Sequence, residues 1–485
     1  MITEHALLYL SSRLFAAAAN LAAVALFTRL AASDVYGGYL LIFSWAFVIY
    51  GFLGQWLGAA FFAIYQREAA TSQIGVLGRL WLGSLGMAGT MIAAAAVAGV
   101  VPWPVAGALF LVVMSLLLFI TVMEAERTRL EARVVATILV LRAALMIGFG
   151  TLCLVAGGGA LALAVALALA NIVAALPGLV RLAPHFGAAS DRTAMSGFFA
   201  YGWPLMVAFG ATALGQNVDR LVLAHVVGTV QLGPYGASSD FLKQSFGVIC
   251  EAIVLAVVSI AKNAAAGGDE AGARRTLEDA FRALSATVLF GAAFMTTFAG
   301  ELVQIVFGPD FRATARAIVP SLIAANAVLI FRAFYFGQAI YFGQSSRNEI
   351  IAAALMLSVT GALSLALIPR FGIFGAAWAA TAGQVAAASV YIVARPRMPI
   401  PMASFLATAT TACGVFVAAA LLDRVEPLGP TMKLAGKLAI FVAAGAYIIW
   451  HQDILGLKKL LDPSRRDFAG RLDRDDAHIA DRPWS

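Results

Sequence analysis

Long apolar blocks separated by short polar segments run along almost the whole chain. The hydrocarbon core of a bilayer is about 30 Å thick, so a helix that spans it needs about 20 mostly apolar residues. By this criterion the pattern predicts about fourteen spans. Their approximate limits are Ala6–Phe27, Tyr39–Phe62, Leu80–Val101, Val105–Met123, Ala136–Val155, Ala160–Val180, Phe198–Leu223, Ala237–Ala261, Ala283–Phe298, Ile318–Phe342, Ile350–Ile368, Gly375–Val393, Ser404–Leu422 and Thr431–Trp450.

The composition supports a membrane protein. Of the 485 residues, 61% are hydrophobic and only 12% are charged. Soluble globular proteins have about 45–50% apolar and about 25% charged residues. A soluble fold of this length could not keep so much apolar surface out of water. We therefore expect an all-α integral membrane protein.

The net charge of +7 does not indicate nucleic acid, because the charges lie in short segments between apolar blocks rather than in one basic patch. The three cysteines lie inside apolar blocks, and the five histidines have no metal-ligand spacing. No metal or cofactor is predicted. The N-terminus lacks the basic region and cleavage site of a secretory signal, so we expect the first block to remain as a span.

The distribution of Lys and Arg among the connections predicts the orientation. Alternate connections, among them those with Arg127, Arg129 and Arg181, carry roughly three times as many basic residues as the opposite ones. The positive-inside rule makes this set cytoplasmic and places both termini in the cytoplasm. No connection is long enough for an extramembrane domain, and residues 451–485 are expected to form a cytoplasmic tail.

A weak internal repeat follows the first and the seventh span. Leu30–Tyr39 and Val226–Tyr235 each contain an apolar helix end, a short polar turn and a Gly-x-Tyr sequence that opens the next helix. Because six spans separate the copies, the repeat predicts two units related by an axis along the membrane normal. Two facing bundles are typical of an alternating-access transporter. Chance similarity of turn residues is the alternative.

The eighth predicted span carries a polar stripe. Asp240, Lys243, Gln244, Gly247 and Glu251 lie on one narrow face of an otherwise apolar helix, at 100° per residue. A charge at the bilayer centre costs about 2.5–3.5 kcal/mol, so the stripe is expected to line an aqueous cavity. The alternative is a patch in which Asp240 neutralises Lys243.

Other spans carry single charges or charged pairs. Arg332 lies mid-span and is expected to line a cavity, whereas Arg13 either does so or extends to the cytoplasmic interface. Asp219 and Arg220 are expected to form a structural or gating ion pair near a span end, with ligand contact left open. Arg142 lies close to a cytoplasmic end and is expected to be interfacial.

The seventh span has a candidate hinge in Gly202 and Pro204, with a static kink as the alternative. The chain has no GxxxxGK[ST] loop for nucleotide, no Ser/His/Asp arrangement and no paired carboxylates outside the membrane. These observations argue against an enzyme and against direct use of ATP. An ion gradient, the membrane potential or the gradient of the cargo is the expected energy source.

Five short motifs occur in order along the chain, and together they resemble the polysaccharide-transport (O-antigen flippase) family of the multidrug/oligosaccharidyl-lipid/polysaccharide exporter superfamily. The Arg29–Tyr39 segment is similar to the first turn of that family. The other four motifs are Tyr201-Gly202-x-Pro204, Asp219-Arg220 with Leu232-Gly233-x-Tyr235, Phe307-Gly308-x-x-Phe311, and Ile368–Ala377.

The resemblance implies a monomeric transporter with two six-helix lobes around a central cavity and two additional C-terminal helices. The corresponding segments are 1–195, 196–397, 398–450 and the tail 451–485. The implied cargo is an undecaprenyl-diphosphate-linked oligosaccharide, moved across the bacterial inner membrane for O-antigen, capsule or exopolysaccharide biosynthesis. A polysaccharide polymerase or co-polymerase is a candidate partner. The arginine-rich and Leu-Pro-Asn motifs of lipid II flippases are absent, which argues against the peptidoglycan precursor as cargo.

The cargo predicts the roles of the charged residues. A diphosphate loses its hydration in the membrane, and Arg and Lys replace it with charge-assisted hydrogen bonds. We expect Lys243 and Arg332, then Arg13, to bind the diphosphate. Asp240, Gln244 and Glu251 are expected to line the cavity or to bind a coupling ion.

Two other functions remain open. A multidrug cation antiporter of the same superfamily would favour twelve spans and an acidic cavity. A surface-glycan polymerase or ligase would usually carry a large periplasmic loop. The sequence does not identify the sugars.

Overall fold

The structure, a computed structural model, describes residues 2–186, 192–342, 347–394, 398–425 and 429–452. These residues form seventeen α-helices and no strand. The helices are α1 Ile2–Leu30, α2 Ser33–Leu53, α3 Gln55–Ile64, α4 Ala70–Val97, α5 Trp103–Thr128, α6 Ala132–Val155, α7 Ala160–Leu182, α8 Arg192–Gly215, α9 Val218–Val226, α10 Thr229–Ala266, α11 Glu270–Thr297, α12 Ala299–Val306, α13 Pro309–Ile330, α14 Arg347–Phe371, α15 Ile373–Val393, α16 Met402–Asp423 and α17 Pro430–Gln452. The predicted tail lies outside the described residues from position 453 onward.

Thirteen helical segments of the described chain are long and apolar enough to cross a membrane. They correspond to thirteen of the predicted spans, which confirms an all-α multi-pass membrane protein. The eighth predicted span corresponds to α10, which is not among the thirteen and carries Asp240, Lys243 and Glu251. The seventh predicted span is two helices, because α8 ends at Gly215 and α9 begins at Val218.

Large apolar side chains cover the outside of many helices. The exposed fraction is 77% for Val97, 81% for Val393 and 70% for Val442. A soluble monomer rarely exposes contiguous apolar patches larger than a few hundred Å². These surfaces are suited to acyl chains rather than to water.

The first of two compact units comprises Met1–Ile249 and Phe298–Pro396. Within it, α1 packs on α6, α5 and α6 pack on α7, and α13 and α14 pack on α15. Large buried side chains such as Phe61 and Phe198 fill one core cluster. The helix α7 contributes fully buried alanines, among them Ala164 and Ala168, and such small residues allow membrane helices to approach closely.

The second compact unit comprises Cys250–Thr297 and Arg397–Ser485. Its helices α16 and α17 pack on each other and on α11. Ala283 and Ile448 form a buried cluster in this unit, with Phe290 packed against them. The boundary between the units falls within α10, and the division into lobes ending at residues 195 and 397 stays a prediction.

The motif at Ile368–Ala377 makes the tight turn between α14 and α15. Gly372 has a φ of 54°, a backbone conformation that glycine adopts at no steric cost. Three residues later, a Cβ added to Gly375 would lie 2.5 Å from the Leu367 carbonyl oxygen. Both glycines are therefore required for α14 and α15 to form an antiparallel pair.

Candidate functional site

A charged network joins α9 to α10 inside the first unit. Arg220 donates from Nη2 to Asp240 Oδ1 at 2.5 Å, and the side chains are 4% and 27% exposed. The Tyr235 hydroxyl donates to Asp219 Oδ2 at 2.5 Å. The neighbours Asp219 and Arg220 thus have different partners on α10. Asp240 forms its salt bridge with Arg220 and also interacts electrostatically with Lys243, so the alternative in which Asp240 neutralises Lys243 stays a prediction.

Lys243 lies one helical turn beyond Asp240 and lines an internal cavity of about 40 Å³, which is room for a few water molecules. Asp219 and Lys243 are the two charged residues of its wall. Within the described residues Lys243 forms no salt bridge and no hydrogen bond. The polar residues of the wall also include Gln216, Tyr235, Ser239, Asn326, Thr360 and Gln384. The cavity therefore holds one cation, Lys243, which interacts electrostatically with Asp219 and Asp240 but makes no hydrogen bond among the described residues.

Arg332 is connected to this cavity through Gln384. Its guanidinium Nε donates to Gln384 Oε1 at 2.9 Å, and the residue is only 6% exposed. Arg332 lies in a π-helical turn, Phe331–Tyr335, that follows α13. Single π-helical turns are frequent at functional sites. The structure thus places Arg332 behind the cavity wall.

The remaining predicted site residues do not converge on the cavity. Arg13 is half-buried on α1 and interacts electrostatically with Glu124 of α5. Gln244 is half-buried on α10 and is not part of the cavity wall. Glu251 belongs to the second compact unit.

The predicted hinge lies in α8. Pro204 is inside the helix, and a Cβ added to Gly202 would collide with the Trp56 ring. Gly202 therefore permits a close approach between α8 and the start of α3. Its role as a hinge stays a prediction.

The two copies of the sequence repeat meet at the start of α2 and of α10. A Cβ added to Gly37 would collide with the Thr229 carbonyl oxygen, and one added to Gly233 would collide with the Ser33 carbonyl oxygen. The contact is reciprocal, since each glycine faces the residue four positions before the other. This reciprocity is characteristic of elements related by a two-fold axis.

A second contact closes the same end of the first unit. The Gly308 amide donates to Thr28 Oγ1 at 3.3 Å. The rings of Tyr36 and Phe311 pack edge to face with centroids 5.8 Å apart. Residues from three of the sequence motifs therefore hold α1 and α2 against α10 and α13 at this end.

A larger, apolar cavity of about 780 Å³ lies between α2, α4, α5 and α9. Trp45, Met91 and Leu221 are among its lining residues, and His225 is its one titratable residue. A cavity of this composition is suited to a hydrocarbon chain. No sequence motif indicated it.

Arg142 lies in a polar cluster that the sequence did not indicate. Its Nε donates to Asn171 Oδ1 at 2.8 Å, and Asn171 Nδ2 donates to Ser115 Oγ at 3.2 Å. Asn171 and Ser115 are fully buried. The head group therefore lies among α5, α6 and α7 rather than at a helix end. The expected interfacial position of Arg142 was inferred from a span beginning at Ala136, but α6 begins at Ala132.

The architecture and the charged interior define an all-α, multi-pass membrane protein. Within that class, the chain belongs to the family described as "Polysaccharide biosynthesis protein", whose model matches residues 63–316. The resemblance inferred from the motifs is confirmed. A comparison with curated protein sequences gives no match.

Solved structures share the fold. The "Lipid II flippase MurJ, inward closed conformation" superposes with a TM-score of 0.76 at 12% identity, covering 93% of this chain and 100% of that chain. The "Inward-facing conformation of a multidrug resistance MATE family transporter of the MOP superfamily" superposes with a TM-score of 0.59 at 14% identity, covering 80% of this chain and 97% of that chain. A MOP superfamily transporter from Pyrococcus furiosus, described as having a binding pocket of reverse polarity, superposes with a TM-score of 0.51 at 13% identity. The match covers 81% of this chain and 94% of that chain.

Proposed function

We propose that this protein is a flippase that translocates an undecaprenyl-diphosphate-linked oligosaccharide across the bacterial inner membrane for surface polysaccharide biosynthesis. Membership of a polysaccharide biosynthesis family supports the pathway. The fold shared with a lipid II flippase and with multidrug transporters supports transport rather than catalysis. The protein would act as a monomer with both termini in the cytoplasm, with a polysaccharide polymerase or co-polymerase as a candidate partner.

The observation that carries the proposal is Lys243, a cation that forms no hydrogen bond and no salt bridge among the described residues, on the wall of a polar cavity within a membrane protein. Burying a cation that makes no hydrogen bond is costly, so such a cation is retained where an anion binds. A lipid-linked diphosphate is an anion of this kind. Arg332 would hold Gln384 at the cavity, and Arg13 would meet the diphosphate elsewhere along its path.

The contacts that hold α1 and α2 against α10 and α13 at one end of the first unit support alternating access. The Gly37–Gly233 and Thr28–Gly308 contacts lie at connections that the charge pattern predicts to be periplasmic. In this arrangement the cargo would enter from the cytoplasmic leaflet, and separation of these contacts would release it on the other side. The cavity of about 780 Å³ between α2, α4, α5 and α9 is suited to part of the isoprenoid chain.

One observation favours a second candidate, a multidrug cation antiporter. The Asp219 carboxylate shares the cavity wall with Lys243. A carboxylate is the group that would bind a cationic drug or an exchanged cation. In that case Asp219→Asn would abolish drug resistance, and surface glycan would be unaffected.

The decisive experiment is complementation of a deletion strain. Lys243→Ala should lower export of surface glycan at least about tenfold, because a hydrogen bond to a charged group contributes about 1.5–3 kcal/mol. Lipid-linked precursor should accumulate, and its mass would identify the cargo. Lys433→Ala is the matched control, since Lys433 lies at the start of α17 and donates to the Asp423 carbonyl oxygen. Normal export by Lys243→Ala would contradict the proposed role of Lys243.

A further inference from the structure

Arg142 is a cation of the first unit that forms no salt bridge among the described residues. The salt bridges of the described residues do not include it. The carboxamide of Asn171 occupies its Nε, and the guanidinium carbon lies 5.2 Å from the centroid of the Phe119 ring. Both contacts are with neutral groups. The positive charge of Arg142 is therefore oriented by the protein but not neutralised by it.

The geometry leaves the outer edge of the guanidinium available. Within the described residues, the two Nη atoms make no hydrogen bond, and neither is among the enclosed polar atoms that lack a partner. They are therefore accessible rather than enclosed. The planar guanidinium presents paired donors that match the oxygens of a phosphate. An arginine fixed at Nε and open at Nη is suited to bind an anion through two parallel hydrogen bonds.

Asn171 is itself held in position. It donates from Nδ2 to Ser115 Oγ at 3.2 Å, and Ser115 donates to the Val112 carbonyl oxygen at 2.8 Å. These bonds fix which end of the Asn171 carboxamide faces Arg142. The site therefore has a supporting shell that positions the guanidinium before any ligand arrives.

The same arrangement occurs at the equivalent place in the second half of the unit, with one difference. Asn171 and Gln384 occupy the same position in α7 and α15, counted from Ala160 and Ile373, and each accepts a hydrogen bond from an arginine Nε. Arg332, however, interacts electrostatically with Glu349. Among the described residues, an acid interacts with Arg332 and none is found to interact with Arg142.

We propose that Arg142, oriented by Asn171, binds a phosphate group of the transported lipid, as a site separate from Lys243. The site would hold the diphosphate on the α5–α6–α7 side, while Lys243 acts from α10. Tyr39 is close enough to both regions to interact electrostatically with Arg142 and with the Arg220–Asp240 pair. This inference rests on the proposed function and adds a residue to it.

The test is direct binding of lipids to the purified full-length protein in nanodiscs. Arg142→Gln should weaken binding of undecaprenyl diphosphate at least about tenfold and leave binding of uncharged undecaprenol unchanged. Asn171→Asp should have the same effect although Arg142 is retained, because the new carboxylate would form an ion pair with it. Arg133→Gln is the matched control, since Arg133 is exposed on the same helix.

The outcomes separate the possible failures. If the wild type binds no undecaprenyl diphosphate, the proposed function fails. If the wild type binds it and both Arg142→Gln and Asn171→Asp bind equally well, only the site at Arg142 is wrong. Equal competition by phosphatidylglycerol would also overturn the inference, because the site would then bind bulk phospholipid. Asn171→Asp should melt no lower than the wild type, which excludes misfolding as the cause of its weaker binding.

Discussion

The ion pair between Arg220 and Asp240 joins an almost fully buried guanidinium to a carboxylate that keeps some contact with open space. Asp240→Asn would remove the salt-bridge partner of Arg220, and loss of one partner of a buried pair costs about 3–5 kcal/mol. We expect a clearly lower melting temperature in detergent, measured by intrinsic fluorescence. Replacing both partners, as Arg220→Met with Asp240→Leu, should restore most of the loss. An unchanged melting temperature for Asp240→Asn would show that the pair does not stabilise the fold.

At the scale of residues, the sequence predicted which charges enter the membrane but not which groups they meet. Asp219 and Arg220 are neighbours in the chain, and the sequence predicted an interhelical or interfacial ion pair at these residues without naming its partners. In the structure they bond to Tyr235 and Asp240, because adjacent residues on a helix point in different directions. Only the packing of α9 on α10 determines these partners. Nor does any sequence signal indicate that Arg142 meets Asn171, since the two lie on separate helices.

Among the helices, the crossing of α2 and α10 depends on the absence of two side chains. Gly37→Ala should separate the helices, because the added Cβ would collide with the Thr229 carbonyl oxygen. Overpacking of this kind costs about 1–3 kcal/mol, so the closed arrangement should lose about tenfold in population. The measurement is crosslinking of Ser33→Cys with Thr229→Cys by a short bifunctional thiol reagent, after replacement of the three native cysteines.

The control for this substitution is Gly148→Ala. Nothing lies within 4 Å of a Cβ added at Gly148, so the substitution should leave the crosslinking yield unchanged and slightly favour α6. If Gly37→Ala crosslinks as efficiently as Gly148→Ala, the crossing is not a closed contact.

Helices could be predicted from the sequence where a block of apolar residues marks each one. The blocks of about twenty apolar residues gave the helices, and the Gly-x-Tyr repeat indicated the two segments that meet at Gly37 and Gly233. Breaks inside spans were not predictable. The breaks between α2 and α3 and between α8 and α9 do not coincide with any long polar segment of the sequence. The π-helical turn at Phe331–Tyr335 has no sequence signature.

For the whole molecule, the number of spans determines on which side the chain ends. The thirteen apolar spans are an odd number, and they would place the termini on opposite sides of the membrane. The basic residues predict that both termini are cytoplasmic, which requires that α10 also spans. Whether both termini lie on the same side of the membrane therefore depends on α10, the long helix that carries Asp240, Lys243 and Glu251.

Reporter fusions on either side of α10 test this directly. Alkaline phosphatase fused after Gly228 should be active, because this turn is predicted to be periplasmic, whereas fusion after Gly268 should be inactive. Green fluorescent protein behaves in the opposite way, and its fluorescence after Gly268 is the internal control.

Arg181 forms a salt bridge with Glu131 at 3.0 Å, so the connections after α5 and α7 share one end. Fusions after either should match the fusion after Gly268. Phosphatase activity after Gly268 would mean that α10 does not cross, and Lys243 would then not lie in a path through the membrane.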